Sequence, residues 1–143
     1  MPDAATLHDN AAVTTRLEAL VARLSDADLV RDLGGGWTVS VALSHLAFWD
    51  RRIAYMLDRW MRDGIQHEEL DDDVVSTALE ALHQAVEPRA AAHLAVESAK
   101  AADAAIARAP DAIADQLIAE DHTYLMRRIG HRTDHIEQIE AVL

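Results

Sequence analysis

The stretch "WTVSVALSHLAFWDRRIAYMLDRWM", residues 37–61, constrains the fold more than any other part of the chain. At about 100° per residue, with His45 as zero, Met56, Trp49, Ala42, Trp60, Ile53, Leu46, Val39, Leu57 and Leu43 fill one arc from about 20° to 160°. A strand would divide the same residues between two faces, because its side chains alternate. The segment therefore reads as a long amphipathic helix, N-capped by Thr38, reaching about Met61 and broken by Gly64. A helix with one apolar face needs neighbours to cover that face.

The rest of the chain supplies them. Val13, Leu17, Leu20, Val21 and Leu24 form one stripe on a first helix over about residues 4–25, and "GGG" at 34–36 ends the linker after it. "DDDVVSTALEALHQAVE" predicts a shorter helical segment, its leading aspartates suited to a helix N-terminus. Pro88 either starts the next helix in its first turn or kinks a continuous one, and Pro110 closes it. The last helix is predicted from near Asp115 to the C-terminus. No stretch alternates with period two, and aromatic residues are only 4%. The expectation is a single all-α domain over residues 1–143, an antiparallel four-helix bundle with one extra short helical segment. The Ala-rich third long helix would either bring neighbouring backbones close or leave a cavity.

Composition narrows the function. The net charge of -12, from 25 acidic and 13 basic residues, disfavours nucleic acid, whose binding depends on neutralising phosphates. No run reaches the roughly 18–20 apolar residues of a membrane span, and "MPDAATLHDN" lacks the pattern of a signal peptide, so a soluble cytoplasmic protein is expected. The chain has no cysteine, which excludes disulfides, thiolate metal ligands and a catalytic thiol of its own. Sulfur chemistry would require an external low-molecular-weight thiol.

The histidines carry the chemistry. In "MRRIGHRTDHIEQIEAVL", His131 at 0° and His135 at about 40° lie on the lip of an apolar arc formed by Ile139, Leu125, Leu143, Ile136 and Ile129. His45 stands at the edge of the arc on the long helix. An i, i+4 pair with a third imidazole from a facing helix can hold one face of a metal ion, as side chains do inside helical bundles. Three neutral imidazoles leave a position open for water or substrate, and Zn²⁺ or Ni²⁺ suits such a site. Against this, eight histidines produce i, i+4 pairs by chance, and a histidine at a core edge is often simply packed and hydrogen-bonded.

"GGWTVSVALSHLAFWDRR" and "RIGHRTDHIEQI" resemble the second and closing helices of the DinB-like metal-binding four-helix bundles. That family includes the mycothiol-dependent maleylpyruvate isomerase N-terminal domain and related thiol-dependent transferases. The resemblance spans nearly the whole chain. It implies His45, His131 and His135 as a metal triad at one end of the bundle; a small-molecule substrate and a homodimer are further expectations. The resemblance leaves the reaction open; the open position of a three-histidine site suggests metal-dependent activation of water or an external thiol, of hydrolase or transferase and isomerase type. The alternatives are a non-catalytic metal-binding or scaffold bundle, and a small-molecule stress sensor.

Arg128 and Arg132 fall at about 60° and 100°, inside the apolar arc, where an unpaired guanidinium is costly, so each needs a partner. Asp50 is the structural choice; an anionic group of substrate or thiol is the functional one. Tyr124, at about 20°, would stand two turns before His131 and could offer its hydroxyl to substrate, or simply pack at the helix start. Trp49 and Trp60 read as core, and Trp37 as a plug beside the metal site. His8, His67, His83, His93 and His122 show no matched partners, with His122 a fourth ligand only if the helix begins after it. "HEELDDDVV" lacks the alternation and glycine of an EF-hand and reads as a solvated helix start.

Overall fold

A computed structural model describes residues 2–143. Among these, seven α-helices dominate: α1 (Ala4–Arg23), α2 (Asp26–Leu29), α3 (Val39–Asp63), α4 (Asp72–Ala85), α5 (Pro88–Arg108), α6 (Asp111–Ala119) and α7 (Ile129–Glu140). The described residues are all-α apart from one small hairpin, β1 (Asp32–Gly34) with β2 (Trp37–Thr38), paired antiparallel. That hairpin replaces the linker expected at "LGGGWT". Gly34, Gly35 and Gly36 take φ of 90°, 62° and 83°, and three consecutive left-handed residues turn the chain back on itself at little cost only when they are glycine.

The helix boundaries follow from local chemistry. The Thr38 side chain accepts the Val41 N–H at 3.3 Å to begin α3, and Gly64, at φ 81°, ends it. Asp71 accepts the Val74 N–H to begin α4. Pro88 starts α5 rather than kinking a longer helix, with the Glu87 carboxylate accepting the N–H groups of Arg89 and Ala90.

The last helix departs from expectation. Instead of running unbroken from Asp115, the chain forms α6, stops, makes a 3₁₀ turn at Thr123–Leu125, and begins α7 at Ile129. Asp121 adopts φ 58°, its N–H bonded to the Ile118 carbonyl, while the His122 N–H reaches back to the Leu117 carbonyl at 2.8 Å. This is a Schellman ending, with aspartate in the left-handed place usually held by glycine. Tyr124 is therefore not on the wheel of α7.

α3 and α5 make the most extensive contact, and α5 with α1, α1 with α7, and α7 with α3 complete a ring of neighbours. The α5 contact face is alanine: Ala91, Ala92, Ala95, Ala99, Ala102 and Ala105 are buried. Small side chains here bring the helices close rather than opening a cavity. The apolar core has two clusters, one around Leu17, Leu43, Leu46 and Ile136, the other around Ile53, Leu57, Ile106 and Leu117. Asp50 on α3 comes between the two clusters in sequence, and the buried Arg132 on α7 links it to Asn10 and Thr14 on α1.

Candidate metal centre

The polar residues between the clusters are paired completely enough to survive burial. The Asp50 carboxylate, fully buried, accepts Arg128 Nε on Oδ1 and Arg132 Nε on Oδ2, each at 2.8 Å. Arg132 Nη1 also donates to Asp103 Oδ1 at 2.8 Å and to Thr14 Oγ1 at 2.9 Å, and Nη2 to the Ala99 carbonyl. Two guanidinium and two carboxylate groups thus balance in charge, as a buried ionic group requires. Arg132 is buried in these bonds and absent from the cavity lining, so it bears on the site by holding Asp50 and by its charge beside His131. A substrate-binding role for it gives way to the structural pairing.

Asn10 fixes the approach to α7. Its Nδ2 donates to the Met126 carbonyl at 2.8 Å, and its Oδ1 accepts the Arg128 N–H at 2.9 Å, standing in for the side-chain cap that α7 lacks. The first two turns of α7 then present His131 and His135 to His45 on α3. Ring centroids lie 5.1 Å apart for His45 and His131, 4.9 Å for His45 and His135, and 4.9 Å for His131 and His135. One ring nitrogen from each falls within 4.8 Å of the others.

Hydrogen bonding orients the rings. His135 Nδ1 donates to Gln138 Oε1 at 3.0 Å, leaving a lone pair on its Nε2. Arg128 Nη2, which can only donate, reaches His131 Nδ1 at 3.2 Å. In neutral His131 the proton then sits on Nε2, directed at His45 Nε2 3.1 Å away. His45 Nδ1 is buried without a partner. Burial pushes His45 down to about 3, helped by His135 and His131, and pushes His131 down to about 4, helped by the Arg128 guanidinium. Both are neutral at pH 7. Convergent imidazole nitrogens that share at most one proton fit a divalent cation, whose charge would satisfy their lone pairs together.

The triad is open on one side and covered on another. His45 and His131 line a cavity of about 580 Å³ with Trp49, Arg52, Tyr124 and Arg128. Trp49 is half-buried and lines this space, as a substrate-binding residue would, instead of lying in the core; Trp60 is core at 4% exposure and also borders the cavity. Tyr124, exposed, joins the lining from the 3₁₀ turn. Trp37 stacks on His135 at 5.9 Å, lies 4.9 Å from His45, and donates its Nε1–H to Glu80.

Three histidines without expected partners do have them. His83, buried on α4, places Nδ1 2.7 Å from Ser44 Oγ, with its ring 6.4 Å from that of His45. His67 and His122 meet each other and Glu120, so His122 belongs to a different group from the triad. The docking of α4 and the α6 ending create these contacts, and neither carries a periodic signal. No family model, curated protein or solved structure matches the chain.

Proposed function

We propose that the protein is a metal-dependent enzyme in which His45, His131 and His135 hold one divalent ion, zinc or nickel, facing a small-molecule substrate in the adjoining cavity. The observation that carries this reading is the convergence of three imidazoles, two of them held neutral, on the edge of that 580 Å³ space. The ring of contacts among α1, α3, α5 and α7 supports an antiparallel four-helix bundle of DinB-like kind, with α4 as the extra segment. A cytoplasmic setting, from the sequence pattern, and a homodimer, common among such bundles, complete the proposal. No helix is long and apolar enough to cross a membrane.

An ion at this position would act as a Lewis acid, bringing the pKa of a coordinated water or external thiol toward neutrality. The protein's own groups do the rest. Arg128 and Arg52 place positive charge on the cavity wall, where a substrate carboxylate or a thiol's anionic group would be oriented. Asp50 holds Arg128 in place from behind. Trp37, outside the cavity lining, packs on His135 and His45.

The test is metal stoichiometry and turnover together. The protein without a histidine tag, stripped by chelator and reloaded, is expected to lose one equivalent of metal per chain in each of His45→Ala, His131→Ala and His135→Ala. Thiol-transfer or hydrolytic activity found in the wild type should disappear with it. Unchanged metal content in all three variants rejects the site. The Trp37 cover favours a second reading, a bundle that holds its ion structurally. Slow metal exchange, insensitivity to small anions and stabilisation without turnover would select it.

A further inference from the structure

The segment joining α3 to α4 meets the end of α6 at His67, Glu120 and His122. His67 Nε2 lies 2.6 Å from Glu120 Oε2, His122 Nδ1 lies 3.6 Å from the same oxygen, and the two imidazole centroids are 4.7 Å apart. We propose that these three side chains form a second divalent-metal site, of zinc class, built independently of the triad.

The arrangement is held from outside. Gln116 Nε2 donates to Glu120 Oε1 at 2.9 Å, turning the other carboxylate oxygen toward both rings. The left-handed backbone of Asp121 lets Glu120 and His122, two residues apart, face the same point, and the His122 N–H bond to Leu117 locks that turn. On the opposite side Trp60 Nε1 donates to the Gln66 carbonyl at 3.2 Å, and its indole lies edge-on to His67 at 5.4 Å. Such outer partners aim metal ligands.

A simple ion pair leaves this cluster unfinished. Glu120 Oε2 is taken by His67, and 3.6 Å is too long for it to serve His122 as well. His122 Nδ1 is shielded from solvent and has no hydrogen-bond partner. The ligand atoms lie within 4.8 Å of one another. Tetrahedral ligands at zinc bond lengths stand about 3.4 Å apart, so a modest inward movement of exposed side chains completes the shell. Two imidazoles and one carboxylate suit zinc and its transition-metal neighbours, whereas calcium and magnesium prefer all-oxygen sites. His67 also lines the cavity reached by His45 and His131, so both sites would border one space.

The full chain carrying His131→Ala and His135→Ala, without a tag and stripped of metal, tests the proposal with the triad removed. Titration with Zn²⁺ against a chromophoric chelator is expected to show one equivalent bound, with a rise in melting temperature. Adding His67→Ala or His122→Ala should weaken binding more than about 100-fold, since even outer partners of ligands are worth about 10- to 100-fold. The same additions should abolish the thermal shift. Absence of Zn²⁺ binding in the starting variant, or unchanged affinity after His122→Ala, overturns the site. A wild type that binds one equivalent, kept without the triad and lost with His122→Ala, would uphold this site and reject the other.

Discussion

His45 Nε2 and His131 Nε2 stand 3.1 Å apart across the interface of α3 and α7, with Arg128 donating to the far nitrogen of His131. A metal on His131 Nε2 needs the proton on Nδ1, where Arg128 now donates, so the guanidinium has to give up that contact. Arg128→Gln supplies an acceptor instead and should tighten metal binding by about tenfold, the scale of such outer partners. Competition titration against a chelator measures it; equal or weaker affinity would mean that Arg128 supports the bound ion.

Asp50 holds two arginines with no water-exposed surface of its own. Replacing it with alanine leaves buried positive charge unpaired and should cost about 3–5 kcal/mol in urea unfolding. Asp103→Asn, at a partly exposed position where Arg132 is the one cation held and Thr14 donates its hydroxyl to the other oxygen, should cost clearly less. Equal losses would mean that burial does not set the cost.

Acid should destabilise the metal-free protein before its carboxylates titrate. His45 and His131 are held near 3 and 4 when folded, against 6.5 for a free imidazole, so between those values the unfolded chain binds more protons. Stability is therefore full above about pH 6.5 and falls as pH drops toward 4. Melting temperatures at pH 7.5, 6 and 5 should decline more steeply for the wild type than for His45→Gln/His131→Gln. Parallel slopes would refute the assignment.

Ala95 and Ala99 are fully buried on the α5 face. Ala95→Leu should destabilise by about 1–3 kcal/mol through overpacking, read from the denaturation midpoint. A neutral result would mean that α5 has room to move.

The features legible in the sequence were those that obey a period. His45, His131 and His135 each sit on a helix whose apolar arc fixes its facing, and Thr38 and Pro88 mark helix starts by local chemistry alone. Asp50 was legible as a partner of the arginines because a buried guanidinium demands one. The break after Ala119 was not, since Asp121 takes a glycine's conformation and no proline or glycine announces it. Nor was the meeting of His67 with Glu120 and His122, which lie outside regular helix and 53 residues apart in the closer pairing. The hairpin at 32–38 depends on three glycines that serve a linker equally well.

The charged layer between the two apolar clusters has a further consequence, for alignment. Helices that meet only through alanine, leucine and isoleucine can slide past one another by a turn, about 5.4 Å, and still find apolar contacts. Here a shift of α7 by one turn would carry Arg132 away from Asp50 and Asp103 and set a bare cation among aliphatic side chains. The ionic layer thus acts as a keyway, admitting one vertical setting of α1, α3, α5 and α7. It is that setting which brings the histidines of two helices to the same height.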